Sequence, residues 1–306
     1  MAKKKSFILY ADYIKHIGRL SDEDAGRLFK AIFGREEHKD WLLSLYNALN
    51  GSSYTDPSDI EINTIEGIIY VTMKNDISFL IDSQLNLYEQ QSSYNPNMPL
   101  RGLMYFSQLY QKYISRQRKD IYSCALLKIP TPQFIVIYTG STELDDVKEL
   151  KLSDSFEVPD TSGRFEWTAT VVNISKGHSR KLLEQCPPLR DYAVYVSRIK
   201  GNVAAGMTKE DAVNEAMEYS IEHNLLNGYF LEQKMEVLNM SLTEFDQEEY
   251  DRNRFNDGKE AGIAIGIAEG KRDAALQNAR NFKYKNIPVD IIAECTGLSV
   301  EQVNAL

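Results

Sequence analysis

The fold of this chain is decided by residues 74–106, which read KNDISFLIDSQLNLYEQQSSYNPNMPLRGLMYF. Two short β-type runs predict a pair of strands, and the segment after the NPNMP turn predicts a helix. Asp76 opens the first run, and Glu89 and Gln91 stand near the end of the second. Because side chains alternate along a strand, Glu89 and Gln91 are expected to point to the same face.

A hairpin that brings Asp76 beside Glu89 would place two carboxylates within reach of one divalent cation. Leu85 and Leu87 share the face of Glu89, so the acid emerges where an apolar face ends. Mg²⁺ takes oxygen ligands and keeps several waters, which suits a site of two carboxylates and substrate phosphates. The alternative is a pair of solvated acids at strand ends, because an acid–hairpin–acid pattern is loosely specified.

The composition is that of a globular protein with 306 residues, 43% of them apolar and 26% charged. A net charge of −9 argues against a broad basic surface for nucleic acid, although it leaves room for a local basic groove. Three widely spaced cysteines indicate neither a zinc site nor disulfides, and they favour a cytoplasmic location. Since no run of about 18 apolar residues occurs, we expect no membrane span and no membrane partner.

The segment before the hairpin predicts helices over residues 6–34 and 35–51, followed by a strand over 60–73. After the hairpin, Leu100–Ile114 is predicted as a helix that carries Arg101. The basic residues at its end, Arg116, Arg118 and Lys119, either complement the helix terminus or contact DNA phosphates.

The second half of the chain begins with two predicted strands and continues as helices. FIVIY, residues 134–138, is typical of a strand buried on both faces, residues 141–166 are expected to be irregular, and WTATVVNIS is the next strand. From about residue 181 every predicted element is helical.

Glycines recur every four residues at 258, 262, 266 and 270. Self-association through a close helix approach is one interpretation of this spacing, and a frayed linker is the other. The tail IPVDIIAECTGLSVEQVNAL predicts a helix, a glycine turn at Gly297 and a short second helix. A small packing hairpin explains this tail better than a DNA reader does.

Several segments together resemble the PD-(D/E)XK nuclease family transposases, also called the Rpn family of recombination-promoting nucleases. They are LLSLYNALNGSSYTDP, the stretch quoted above, KIPTPQFIVIYTG, VVNISKGHS and AECTGLSVEQVNAL. The resemblance covers roughly Phe33 to Leu306, and LNLYEQQSSYNPNMPLRGLMYF is its longest and most specific part.

The resemblance implies a restriction-endonuclease-like core, an α/β (α+β) fold in which a helix leads into a mixed sheet, and a Mg²⁺- or Mn²⁺-dependent endonuclease acting on DNA. By position, Asp76 and Glu89 would hold the metal and Gln91 would orient the attacking water. In the wider superfamily a lysine usually stands in place of Gln91. Because glutamine carries no charge, the metal and Arg101 would supply the positive charge.

The N-terminal part departs from the pattern of the family. Family members usually carry an acid three positions before an F-K-x-x-F element, which here is residues 29–33, and that position holds Gly26. Asp22, one turn earlier, is the alternative third acid. The segment from residue 6 onward also resembles the opening of a small helical protein found in phages, so the chain reads as a natural fusion joined near Gly34.

These arguments predict four parts: a helical N-terminal segment (1–34), a nuclease-like core (35–180), a helical cover (181–250) and a helical tail (251–306). The leading functional hypothesis is a DNA endonuclease associated with transposition or recombination, with Asp76, Glu89, Gln91 and Arg101 as site residues. The alternative is a weakened or inactive nuclease fold that binds DNA or a protein partner. In either case the C-terminal helices could form a homo-oligomer.

Overall fold

The structure is a computed structural model that describes residues 27–63, 76–160 and 162–306. The chain divides into two compact units, Met1–Glu248 and Glu249–Leu306. The helices predicted before residue 27, with Asp22 and Gly26, lie outside the described residues, as does most of the strand predicted over 60–73. In the described part, no helix combines the length and the apolar character needed to cross a membrane.

The first unit is a mixed sheet with helices on both faces. Its elements in chain order are α1 (Arg27–Phe33), α2 (Lys39–Asn50), β1 (Glu61–Ile62), β2 (Ile77–Ile81), β3 (Gln84–Gln91), α3 (Met98–Arg116), β4 (Thr131–Tyr138), β5 (Val147–Lys151), β6 (Thr168–Asn173), α4 (Arg180–Gln185), α5 (Pro187–Ala204), α6 (Lys209–Glu222) and α7 (Tyr229–Glu232). The next helix, α8 (Lys234–Tyr284), continues into the second unit. The predicted combination of helices and a mixed sheet is confirmed.

The strands follow the order β1-β2-β3-β4-β6-β5. Strands β1, β2 and β3 form an antiparallel meander, β4 and β6 run parallel to β3, and β5 pairs antiparallel with β6 at the edge. Because β3, β4 and β6 run in one direction, their carboxyl ends meet at one rim of the sheet, which is where polar side chains of α/β proteins commonly gather.

Strands β2 and β3 are joined by a two-residue turn. Its residues, Asp82 and Ser83, have φ values of 47° and 63°, which is the left-handed combination that a type I′ turn requires. The hydroxyl of Tyr54 donates to Asp82 Oδ2 at 2.8 Å and holds the turn from outside. The pairing that follows places Ile81 opposite Gln84 and Ile77 opposite Tyr88.

The core has one part on each face of the sheet. Side chains of β4 enter both parts in alternation: Ile135 and Ile137 pack among the helices of one face, whereas Phe134, Val136 and Tyr138 pack under α3. This alternation confirms the prediction that the apolar run of β4 is buried on both faces.

Two segments differ from, or add to, the sequence predictions. Residues 147–151 form β5, although an irregular segment was predicted. The sequence did not reveal this edge strand because only Leu150 in it is buried, which leaves no alternating apolar pattern. The helix α1 contributes Phe29 and Phe33 to the core of the first unit, where both rings contact Tyr192 of α5. The residues just before Gly34 therefore share a core with the residues after it.

The second unit is built from the later part of α8 and a helical hairpin, α9 (Val289–Thr296) and α10 (Val300–Asn304). The predicted glycine turn is confirmed, since Gly297 ends α9 with a φ of 69°. Ser299 and Gln302 form a capping box at the start of α10, and Lys283 donates to the carbonyls of residues 303 and 304. Ala279, Ile292 and Val303 are fully buried together, so the tail packs as a small independent core.

Candidate functional site

Two carboxylates meet across the β2–β3 hairpin, and we call Asp76 and Glu89 the acid pair. They stand opposite one another, one position beyond the pairing of Ile77 with Tyr88. The backbone N–H of Asp76 donates to Glu89 Oε1 at 3.2 Å, and the backbone N–H of Gln90 donates to Asp76 Oδ2 at 2.7 Å. Each carboxylate is thus bound to the backbone of the opposite strand, and the structure brings the two predicted acids together.

Glu89 is a buried carboxylate with a nearby cation. It is 2% exposed, and Arg101 Nη2 lies 3.4 Å from its Oε2 atom. The Arg101 side chain is 18% exposed and comes from the first turns of α3. A buried charge requires compensation of this kind, because desolvation of an unpaired carboxylate costs several kcal/mol.

Tyr105 also belongs to the site, although it is not among the site residues that the sequence predicts. Its hydroxyl accepts from Arg101 Nη2 at 3.2 Å, and its ring lies 5.9 Å from the guanidinium carbon. Burial, followed by the charge of Glu89, raises the pKa of the Tyr105 hydroxyl well above its ordinary value. The signal was present, since residues four apart share a helix face and position 105 stands one turn after Arg101.

Gln91 ends β3, where it pairs with Tyr138 of β4. By alternation its side chain belongs to the face of Glu89, and it is half-buried. The role of Gln91 in orienting water stays a prediction. Gln90, between the two, is not among the predicted site residues, and by alternation its side chain belongs to the other face of the sheet.

A third acid for the acid pair is not found where the structure describes the chain. Over residues 27–63, 76–160 and 162–306, no group of three or more His, Cys, Asp or Glu side chains is arranged to hold a metal ion. Gly26 and Asp22 both precede these ranges. The described part therefore offers two carboxylates, one arginine and one tyrosine at this rim.

Arg116 and Lys119, two of the three basic residues at the end of α3, have local partners. Arg116 forms an ion pair of 2.7 Å with Glu61, and the Lys119 ammonium lies 5.3 Å from the ring centre of Tyr113. The helix rises about 1.5 Å per residue, so Arg116 stands roughly 22 Å from Arg101 along its axis. These contacts favour a structural role for Arg116 and Lys119.

A second polar group lies beside the carboxyl end of β6. His178 Nδ1 is 2.8 Å from Asp146 Oδ1, and this hydrogen bond lowers the pKa of the Asp146 carboxyl. Both residues line an open cavity of about 430 Å³ together with Glu143, Asp145 and Lys148. His178 is therefore a hydrogen-bonded loop histidine.

The comparisons with known proteins concern mainly the N-terminal segment. The profile of a family described as "Family of unknown function (DUF6291)" matches residues 6–35. No curated protein and no solved structure matches the chain. The matched segment is short and ends next to Gly34, where the sequence analysis placed the junction of a fusion.

Proposed function

We propose that this chain is a metal-dependent endonuclease that hydrolyses phosphodiester bonds in DNA, on a restriction-endonuclease-like core of the PD-(D/E)XK type. The observation that carries the proposal is the acid pair at the carboxyl end of β3, with Arg101 beside Glu89. A helix, α2, leads into the mixed sheet, as that core requires. The three free cysteines suit the cytoplasmic setting that belongs to the proposal.

The residues present fit a hard divalent cation. The donors are carboxylate oxygens alone, and Mg²⁺ is commonly held by one or two carboxylates together with waters and substrate phosphates. Asp76 and Glu89 would hold the ion. When bound, Mg²⁺ or Mn²⁺ would polarise the phosphate and lower the pKa of a coordinated water.

The side chains of this chain then have separate tasks. Gln91 orients a water whose oxygen attacks phosphorus, the bond to the leaving oxygen breaks, and the proton lost by the water ends on that oxygen. The products are a phosphomonoester and a hydroxyl end. Arg101 steadies the Glu89 carboxylate and offers positive charge near the phosphate, which an uncharged glutamine cannot provide.

The decisive experiment combines plasmid nicking with metal titration of the full chain. We expect Mg²⁺-dependent nicking by the wild type, no nicking by Asp76→Ala, and loss of calorimetric Mg²⁺ or Mn²⁺ binding in Glu89→Gln. Asp146→Asn is the matched control, because this exposed acid is hydrogen-bonded at a different strand end. Unchanged nicking by a folded Asp76→Ala variant rejects the proposal.

A second candidate function is a DNA-binding or protein-interaction module that keeps the fold without the chemistry. The observation in its favour is that the described residues supply two acids at the rim and no cluster of three. A wild-type chain that shifts DNA in a gel with EDTA present, and that binds no divalent cation in calorimetry, would support the module.

Self-association through α8 belongs to the proposal as a partner hypothesis. Gly266 and Gly270 are exposed, and a Cβ atom built at either position meets nothing within 4 Å. Light scattering on a chain ending at Tyr250 is the test. If the shortened chain forms particles with the same number of chains as the full-length protein, the glycine argument is removed.

A further inference from the structure

The middle residue of the Glu89-Gln90-Gln91 element has a partner on the opposite face of the sheet. Gln90 is 5% exposed, and its Nε2 donates to the hydroxyl of Thr139 at 2.9 Å. Thr139, immediately after β4, is 4% exposed. A buried amide bonded to a buried hydroxyl is a specific arrangement, because either group left unpaired would cost free energy.

Thr139 in turn connects three elements through its backbone. Its N–H donates to the carbonyl of Gln91 at 3.0 Å, and its carbonyl accepts from Lys200 Nζ at 3.0 Å. Lys200 belongs to the last turns of α5. The ends of β3 and β4 are therefore tied together and tied to a helix from the face opposite α3.

The same Gln90 supplies the backbone N–H that binds the Asp76 carboxylate at 2.7 Å. One residue thus joins the acid pair to the Thr139 hydroxyl, while Arg101 approaches Glu89 from the other face. Groups of this kind, which hold the residues that contact a metal, commonly change metal affinity by 10-fold to 100-fold when they are removed.

We propose that Gln90, Thr139 and Lys200 form a positioning relay that holds Asp76 and Gln91 in the arrangement the metal site requires. The inference rests on the proposed function for its effect on metal and turnover, but the relay itself is measurable without activity. None of the three residues contacts the reacting atoms.

The variants are chosen to remove one connection each in the full-length chain. Thr139→Val removes the hydroxyl and keeps the volume, the N–H and the carbonyl. Lys200→Met removes the ammonium, and Lys200→Arg restores a donor for the Thr139 carbonyl. Ser241→Ala is the control, because its hydroxyl forms a buried hydrogen bond of 2.9 Å with Tyr195 away from the rim.

The first measurement is hydrogen exchange at the backbone amide of Gln90. We expect about tenfold faster exchange in Thr139→Val, as one lost hydrogen bond would produce, while the Leu87 amide in the same strand stays protected. Ser241→Ala should leave the Gln90 amide unchanged. The relay is refuted if the Gln90 amide of Thr139→Val exchanges at the wild-type rate, or if the Leu87 amide accelerates as much as the Gln90 amide does.

The second measurement is the Mg²⁺ concentration at half-maximal nicking. We expect this midpoint to rise about tenfold in Thr139→Val and Lys200→Met, and to return to within about twofold of wild type in Lys200→Arg. An unchanged midpoint in an active Thr139→Val variant, or the same rise in Ser241→Ala, overturns the positioning role. A wild type that neither nicks DNA nor binds Mg²⁺ refutes the proposed function, and the Gln90 exchange then decides the relay by itself.

Discussion

Helix α3 carries two ion pairs whose contributions to stability are ranked one way by distance and the opposite way by burial. Arg101 and Arg116 both belong to α3, and their carboxylate partners are Glu89 at 3.4 Å and Glu61 at 2.7 Å. Distance alone makes the Arg116 pair about 1.3 times stronger at equal dielectric, since Coulomb energy falls as 1/r. Burial reverses this order, because Glu89 is 2% exposed whereas both partners of the Arg116 pair are more than half exposed.

The magnitudes follow from these exposures. Exposed ion pairs are worth about 0–1 kcal/mol, so Arg116→Met should hardly change the free energy of unfolding. Removing one partner of a fully buried pair costs about 3–5 kcal/mol. Arg101 is partly exposed, its contact is long, and Glu89 keeps the Asp76 N–H, so we expect Arg101→Met to cost about 2–3 kcal/mol.

Urea unfolding of both variants, followed by circular dichroism at pH 7, measures the difference. The double variant Arg101→Met with Glu89→Gln should be more stable than Arg101→Met alone, because it also removes the charge of a buried carboxylate that has lost its arginine. Methionine keeps the aliphatic packing of the arginine stem, so lost charge is what the comparison reports. Equal costs for Arg101→Met and Arg116→Met would refute the reasoning.

Two other predictions concern packing and pH. In Gly102→Ala the new Cβ would lie 2.4 Å from the ring of buried Phe134, so we expect the free energy of unfolding in urea to fall by about 1–2 kcal/mol. Gly201→Ala is the control: this helical position is open, so the free energy of unfolding should rise by about 0.5–1 kcal/mol. The hydrogen bonds from Arg198 lower the pKa of Glu215. The stability advantage of wild type over Glu215→Gln should therefore be full above about pH 4.5 and lost at lower pH. A stability difference that stays constant between about pH 6 and about pH 3 would contradict this assignment.

The sequence was sufficient wherever a local pattern and the tertiary structure agree. The apolar run of β4 predicts a strand buried on both faces, and the structure buries Phe134–Tyr138 in this way. The hairpin pattern places Asp76 opposite Glu89, and that opposition is found. In both places the side-chain period of two carries the information, and no distant residue has to be known.

Other features depend on partners distant in the chain. Strand β5 exists because β6 pairs with it, and a segment with one buried residue shows no period that a sequence can reveal. Gln90 has a role because Thr139 lies 49 positions later and is brought beside it by parallel pairing. The assignment of Arg101 to Glu89 likewise needs the packing of α3 on the sheet.

The two-residue turn at Asp82 and Ser83 fixes the register of the β2–β3 hairpin, and with it the positions of the acid pair. It sets the thirteen-position spacing at which Asp76 faces Glu89, so the opposition of the two acids depends on one local hairpin. One inserted amino acid would shift the register and send Glu89 toward the wrong side. The lengthened chain would still contain both carboxylates, but Asp76 and Glu89 would no longer face each other.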